Sequence, residues 1–169
     1  MAQEADEVDR IVEAWIAQRP DLDFSPLEVL SRVDRLSRHL DRARRDAFRR
    51  SELEPWEWDV LSALRRAGEP FQLSPKQLLQ QTLVSSGTMT NRIDRLVGRR
   101  LVRRENDPDD GRSILVTLTE DGRVRVDAAI TRLVDAEALL LAALPRGDRE
   151  RLAALLRKLS LGFDTNGTH

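Results

Sequence analysis

The apolar pattern changes from helical to extended between residues 74 and 118, and this change most limits the folds open to the chain. SPKQLLQQT (74–82) reads as a short capped helix, and a second helix of about four turns begins near Ser86. LVRREN and SILVTLT then carry the Val, Ile and Thr typical of strands, with the turn residues DPDDGR between them. Two helices joined by a few residues and followed by a short hairpin predict a winged helix-turn-helix.

Long amphipathic segments flank this core on both sides. Apolar residues at helical spacing predict helices over residues 4–19, from Ser25 to about Arg50, from about residue 119 to Leu144, and over 146–161, while EPWEWDVLSALRRAG predicts one more before the winged part. PFQ is interpreted as a short link. The fold class is therefore mainly α with a small β wing. The terminal helices are too long for one small subunit to cover, which predicts a two-fold homodimer formed by the N- and C-terminal helices.

The same pattern divides the chain into four parts. Residues 1–50 hold the extra N-terminal helix and a long dimerisation helix, and residues 51–118 hold the winged DNA-binding domain. Residues 119–161 hold the C-terminal dimerisation helices. Residues 162–169, which end in the polar TNGTH, are predicted to be a disordered tail.

Several kinds of chemistry are disfavoured by composition. The chain has no cysteine and only two histidines, which excludes disulfides, thiolate metal sites and thiol-oxidation switches and leaves little for a catalytic triad. We expect no cofactor, no metal and no enzymatic activity. No apolar run approaches the roughly 18 residues that span a bilayer, and the N-terminus is acidic, so we expect no membrane association and a cytoplasmic, nucleoid-associated location.

Arginine is concentrated in residues 85–104, SSGTMTNRIDRLVGRRLVRR, although the net charge of the whole chain is −1. Helical spacing places Met89, Ile93, Leu96 and Val97 on the inner face of this helix, so small polar and amide side chains point outward. Such side chains allow a helix to enter the major groove of DNA, where amide and guanidinium groups pair with base edges. The predicted DNA-binding residues are Ser85, Ser86, Thr88, Thr90, Asn91, Arg95, Arg99 and Arg112.

Two of these residues have more particular predicted roles. Arg112 lies at the tip of the hairpin, from which an arginine can enter a narrow minor groove. Arg99 is assigned to phosphate contacts or salt bridges rather than to base readout. The alternative for the serine-rich start of the helix is an ordinary turn and cap.

The motif TMTNRIDRLVGRRLVRRENDPDDGRSILVTLTEDGR resembles the MarR family of winged helix-turn-helix transcription regulators. The resemblance covers about residues 25–160. Its most specific part is a recognition helix, a strand, the D-x-R wing of Asp110, Gly111 and Arg112, and the helix start at Leu118 and Thr119. It implies a homodimeric repressor that binds a pseudo-palindromic double-stranded DNA operator.

The extra N-terminal helix with a Trp, the segment EWDVL and the pattern S-G-x-x-x-N-R-I-x-R-L resemble the urate-responsive, PecS-like and TamR-like branch of that family. This resemblance implies a ligand-binding pocket for an organic anion at the positions matching the branch, which are Trp15, Asp59, Arg92 and Arg104. Without the resemblance, Asp59 and an arginine are interpreted as a structural ion pair.

The branch also implies a mechanism. An anion near Arg92 and Arg104 disturbs the pairing of Asp59, and because Arg92 is on the recognition helix, the half-site spacing of the dimer changes. Urate or a related purine fits a Trp and two arginines, and citrate or aconitate fits two arginines, so the effector stays open. The alternative functions are a helical scaffold protein without DNA binding, and an enzyme using Glu57 with Asp59, two residues whose spacing points them in different directions.

Overall fold

The computed structural model describes residues 5–82, 84–108 and 113–164. Its internal contacts divide the chain into two units, Met1–Asp46 and Ala47–His169. This division differs from the predicted boundary at residue 50, because Ala47 and Phe48 are buried in the hydrophobic core of the second unit. The predicted boundary between residues 118 and 119 does not separate units, since the C-terminal helices are grouped with the winged core.

The first unit consists of α1 (Glu7–Gln18) and most of α2 (Ser25–Arg49). Asp6 caps α1, accepting hydrogen bonds from the backbone N–H groups of Val8 and Asp9. Arg32 on α2 forms ion pairs with Asp6 at 2.9 Å and with Asp9 at 2.6 Å. The two helices are therefore joined by charged groups at the start of α1.

The second unit contains the predicted winged core. Its elements, in chain order, are α3 (Pro55–Arg66), β1 (Gln72–Leu73), α4 (Pro75–Thr82), α5 (Ser86–Gly98), β2 (Val102–Asn106), β3 (Ile114–Leu118), α6 (Glu120–Leu140) and α7 (Arg146–Asp164). The strands form an antiparallel sheet in the order β1-β3-β2, with Arg104 opposite Val116. The mainly α fold with a small wing is confirmed.

Strand β1 was interpreted from the sequence as part of a link. Gln72 and Leu73 instead pair with Thr117 and Val116 of β3. Two residues are too few to show the alternation that identifies a strand, so only the pairing with β3 reveals this one.

The core of the second unit holds helix α5 in place. Met89, Ile93 and Leu96 are buried along one side of α5, as predicted. The prediction for Val97 is wrong, because this side chain is 37% exposed. Val97 follows Leu96 directly, and neighbouring residues on a helix point in directions about 100° apart.

The ends of the C-terminal helices differ from the predicted ones. Helix α6 ends at Leu140 rather than Leu144, where Ala142 and Leu144 donate tight-turn hydrogen bonds to the carbonyls of Leu139 and Leu141. Helix α7 continues to Asp164. The helix therefore extends three residues past the predicted start of the tail, since Gly162 weakens a helix without ending it. The rest of the predicted tail, residues 165–169, lies outside the described part.

The long helices expose many apolar side chains in a single chain. The exposed set includes Val29, Val33 and Leu36 on α2, Ile130, Val134 and Leu139 on α6, and Leu155, Leu156, Leu159 and Phe163 on α7. Where such side chains form a contiguous patch, they mark an interaction site. In the part of the chain that the structure describes, no helix combines the length and apolar character needed to cross a membrane.

Candidate functional site

The outer face of α5 is small and polar. Ser86, Thr88, Thr90 and Asn91 are exposed, while the apolar residues of the same helix are buried. Ser85 caps the helix by accepting a hydrogen bond from the Thr88 N–H at 3.3 Å, and the hydroxyl of Thr90 donates to the Ser86 carbonyl at 3.2 Å. The first turn of α5 therefore presents hydroxyl and amide groups beside backbone N–H groups, which is the chemistry that phosphates and base edges accept.

Two arginines of α5 and Arg99, which caps its C-terminal end, lie against α3. Arg92, Arg95 and Arg99 follow one another at steps of three and four, which places them along one side of the helix. Arg95 Cζ lies 4.6 Å from the centre of the Trp56 ring, and Arg92 Cζ lies 5.8 Å from the same ring. Both distances are within the range of a cation–π interaction. The first turns of α3 therefore hold cationic groups of the recognition helix.

Arg99 is part of the support of α5. Its guanidinium pairs with the carboxylate of Glu57, which is 1% exposed, and also donates to the Glu52 carbonyl at 2.8 Å. Glu57 additionally accepts a hydrogen bond from the Glu54 N–H at 2.9 Å. The predicted DNA contact of Arg99 remains a prediction, whereas its contacts within the chain attach the C-terminal end of α5 to α3.

Asp59 and Arg92 are brought together as the branch resemblance implies. Arg92 Nη1 lies 3.8 Å from Asp59 Oδ2, which is an ion pair without a direct hydrogen bond. The Arg92 side chain is 19% exposed, and its Nη1 is buried without a hydrogen-bond acceptor among the described residues. Burial raises the pKa of the Asp59 carboxyl above its ordinary value, and the positive charges of Arg92 and Arg66 oppose that rise. Arg92 therefore has an N–H donor without a partner among the described residues, and the Asp59 carboxylate binds a proton more readily than an exposed one.

The other two predicted pocket residues have different partners. Arg104 on β2 pairs with Asp94 of α5, with 2.6 Å between Nη1 and Oδ1. Trp15 belongs to the first unit, where its ring stacks on Phe24 with centroids 6.2 Å apart. The four-residue pocket therefore remains a prediction, of which the structure shows one pair. Asp110, Gly111 and Arg112 of the predicted wing tip lie outside the described residues.

A cavity of about 240 Å³ opens beside Asp59, on the surface of α3 and the last turn of α4. It is lined by Trp58, Asp59, Ser62, Arg66, Gln81 and Thr82. Trp58 stacks on Phe48, with ring centroids 4.9 Å apart, and so provides a supported aromatic wall. Arg66 donates a hydrogen bond to the Ser62 hydroxyl at 3.1 Å.

Sequence reasoning missed the roles of Trp56, Glu57 and Arg66. Trp56 was interpreted as core and dimer packing, and Glu57 as a charge favourable at a helix start. The spacing of Arg92, Arg95 and Arg99 does contain a signal, because three cations along one helix face require anionic or aromatic partners when that face is covered. The identity of those partners does not follow from spacing.

Comparison with known proteins shows which family the sequence and the fold of this chain resemble. The sequence profile of the MarR family matches residues 51–113. The HTH-type transcriptional regulator PecS of Dickeya dadantii is 33% identical over 153 residues, covering 90% of this chain and 92% of PecS.

Two solved structures are similar as well. Bordetella bronchiseptica BpsR, whose DNA binding is regulated by 6-hydroxynicotinic acid, has a TM-score of 0.62 and 30% identity, covering 78% of this chain and 92% of BpsR. A mutant of Escherichia coli MarR complexed with operator DNA has a TM-score of 0.65 and 25% identity, covering 80% of this chain and 96% of that protein.

Proposed function

Because the chain belongs to the MarR family of transcriptional regulators, we propose that it is a repressor that binds a pseudo-palindromic operator as a homodimer and is released by a small organic anion. One observation carries this proposal. Helix α5 presents small polar side chains outward, while Arg92 on the same helix turns inward to Asp59. A single rigid helix therefore connects a surface suited to DNA with an internal charged pair.

DNA recognition is assigned to the outer face of α5. Ser86, Thr88 and Asn91 carry no bulky side chains, so the helix can approach base edges closely. Arg95 lies over Trp56 in the free protein, and its guanidinium has to leave that ring, at least in part, to reach a phosphate or a guanine. The complex of the similar Escherichia coli MarR mutant with operator DNA supports operator binding.

Dimer formation is supported by the apolar side chains that a single chain leaves exposed on its long helices. Leu155, Leu156, Leu159 and Phe163 on α7 are all exposed in one chain, as are Val29 and Val33 on α2. A second copy related by a two-fold axis covers such surfaces reciprocally. The same axis places two α5 helices at successive turns of one DNA face, about 34–36 Å apart.

Operator binding tests the assignment of α5. We expect Asn91→Ala and Arg95→Ala each to weaken operator binding by about 10- to 100-fold, because each good base contact contributes about 1–3 kcal/mol. The measurement is a fluorescence-anisotropy titration at two salt concentrations, with DNA from the region upstream of the protein's own gene. Light scattering confirms that each variant remains dimeric.

Lys158→Gln is the matched control, since Lys158 is an exposed cation on α7. It removes one positive charge away from α5, and we expect operator affinity to stay within about twofold of the original protein. Unchanged affinity in both α5 variants contradicts the proposed DNA-binding face. Absence of specific binding by the unaltered protein contradicts the function as a whole and favours the scaffold alternative.

Effector control is assigned to the Asp59–Arg92 pair. An anion close to this pair is attracted by Arg92, whose Nη1 is an unused buried donor, and is repelled by the Asp59 carboxylate. Movement of α5 relative to α3 separates the anion from the Asp59 carboxylate and so relieves the repulsion. A free-energy difference of a few kcal/mol between the two arrangements is enough to change operator occupancy strongly. The regulation of BpsR by 6-hydroxynicotinic acid supports an organic anion as the signal.

Asp59→Asn tests this switch with little change of shape. We expect the variant to bind operator with an affinity close to that of the original protein, but to need at least about tenfold more effector for half-release. Without the carboxylate, the operator-bound arrangement no longer repels the anion, so the anion no longer favours the released arrangement. The measurement is operator release during titration with 6-hydroxynicotinic acid, urate and citrate. Release of the variant at the same effector concentration as the original protein contradicts a role for Asp59.

A further inference from the structure

We propose that the α2–α3 turn, formed by Ser51 and Glu52, fixes the distance between the two α5 helices of the dimer and so selects operators by the spacing of their half-sites. The turn joins α6 to the end of α5 through three arginines, which are Arg99, Arg125 and Arg132. This inference rests on the proposed binding of an operator by a homodimer and adds to it the residues that determine spacing specificity.

Two arginines of α6 hold the α2–α3 turn. Arg132 Nη1 donates to the Ser51 hydroxyl at 2.9 Å, and the Arg125 guanidinium pairs with the Glu52 carboxylate. These arginines are seven residues apart, which is about two helical turns, so they lie on one face of α6. Helix α6 is therefore attached to the turn at two points.

The same turn holds the end of α5. Arg99, which caps α5, donates to the Glu52 carbonyl at 2.8 Å and pairs with the buried carboxylate of Glu57. Glu52 therefore binds α6 through its side chain and the end of α5 through its backbone. A displacement of α6 at Arg125 reaches Arg99 through this one residue.

Hydrogen bonds and backbone geometry make the turn stiff. Ser51 is 6% exposed, and its hydroxyl donates to the Ala47 carbonyl at 3.1 Å while it accepts from Arg132. Glu52 has a φ of 55°, in the left-handed region that favours glycine. A residue other than glycine stays in that region only where surrounding contacts hold it, and the bonds to α5 and α6 are such contacts. The turn therefore transmits a displacement instead of absorbing it.

The apolar core constrains the angle between α5 and α6 less closely than these polar contacts do. Val60 and Leu64 of α3 and Val126 and Ala129 of α6 are buried in one core cluster. Burial of apolar surface keeps helices together but has no preferred direction. Hydrogen bonds of charged groups depend on direction as well as on distance. The contacts of the α2–α3 turn therefore restrict how far α5 can rotate relative to α6.

The angle between α5 and α6 matters because α6 belongs to the proposed dimer surface. Ile130, Val134 and Leu139 of α6 are exposed in a single chain, and a second copy covers them in the proposed dimer. Half-sites lie about 34–36 Å apart over about 10–10.5 base pairs, so one added base pair shifts a half-site by about 3.4 Å and rotates it by about 35°. A dimer whose α5 helices are fixed to α6 discriminates against such an operator.

The test compares three operator DNAs from the region upstream of the protein's own gene. One has the natural spacing, and the other two have one base pair added or removed between the half-sites. Fluorescence anisotropy gives the affinity of the dimer for each, and the spacing selectivity is the ratio of the affinity for the natural operator to that for an altered one. We expect a selectivity of at least about tenfold for the original protein.

Glu52→Gln and Arg125→Met are each expected to lower this selectivity at least about threefold, because each dimer loses two ion pairs between α6 and the turn. Affinity for the operator with natural spacing should stay within about threefold of the original. Glu52→Gln keeps the backbone carbonyl that binds Arg99. The double variant should match the single ones, since both changes break the same contact.

Arg123→Met is the matched control, because Arg123 is also on α6 and its described ion pairs, to Glu120 and Asp127, stay within that helix. It removes the same charge and should keep the full selectivity. Selectivity that persists in Glu52→Gln and Arg125→Met overturns the inference, as does an equal loss in Arg123→Met.

A role of the turn in stability alone lowers the affinity for all three operators in the same proportion. Selectivity then stays unchanged, and the inference is overturned. Equal affinity of the original protein for the three operators overturns it as well. Failure of the original protein to bind any of the three is a different result, which contradicts the proposed function.

Discussion

Replacing Gly122 with alanine is expected to destabilise the second unit by at least about 3 kcal/mol, lowering Tm by roughly 6–12 °C. Gly122 lies in the first turn of α6, where a Cβ would approach the Leu101 carbonyl oxygen to 2.1 Å and Leu118 Cδ1 to 2.9 Å. The carbonyl is backbone at the start of β2 and cannot rotate away. Thr119 donates its N–H to that same carbonyl at 3.1 Å and caps α6, so the whole junction has to shift.

The sign of the stability change distinguishes the close approach at Gly122 from the ordinary effect of the substitution. In a helix, Gly→Ala ordinarily stabilises by up to about 1 kcal/mol, and loss of stability therefore reports the close approach alone. Gly98→Ala is the control, because a Cβ at Gly98 meets no atom within 4 Å. Urea and thermal unfolding followed by circular dichroism measure both variants. A Gly122→Ala protein as stable as the original contradicts the packing of α6 on β2.

Removal of the Arg99 guanidinium is expected to have the second-largest effect. Arg99→Met leaves the carboxylate of Glu57 buried without its cation, and breaking a buried pair from one side costs about 3 kcal/mol or more. The double variant Arg99→Met with Glu57→Leu should recover more than half of that loss, because apolar groups of similar size replace both charges. Denaturant unfolding of the single and double variants measures the coupling between the two residues. If the loss of stability in the double variant equals the sum of the losses in the two single variants, the two residues do not interact and the ion pair is contradicted.

The same variant distinguishes a positioning role of Arg99 from a phosphate contact. If Arg99 positions α5, operator affinity of the folded variant falls while the dependence of log K on log salt keeps its slope. If Arg99 contacts a phosphate in each half-site, the magnitude of the slope falls by about 0.9 for each contact. The attachment to Glu57 and Glu52 makes the first result the expected one.

These contacts give α3 a central place in the protein. Trp56, Glu57 and Asp59 occupy its first turns and contact Arg92 and Arg95 of α5 and Arg99, which follows α5 directly. Asp59 also borders the cavity with Arg66. In the proposed effector response, the interface between α3 and α5 is the element whose two arrangements couple effector binding to operator binding.

The sequence by itself determined the order of the elements, the buried side of α5 and the presence of a wing. These properties depend on local periodicity and turn chemistry, which the chain expresses within a few residues. It also indicated an ion pair between Asp59 and an arginine, and the family resemblance named Arg92 and Arg104 as the arginines beside Asp59. Its errors at Val97, at the end of α6 and at β1 concern single residues or a two-residue strand, where local patterns carry little information.

Only the tertiary structure decided which charged groups meet. Arg99 and Glu57 are 42 residues apart in the chain. Arg104 has Asp94 as its partner, although the family pattern placed Arg104 in one pocket with Asp59. A guanidinium can pair with any carboxylate that packing brings within about 4 Å. In a chain with so many arginines and acids, pairing follows from the packing of α3, α5 and β2, and composition cannot specify it.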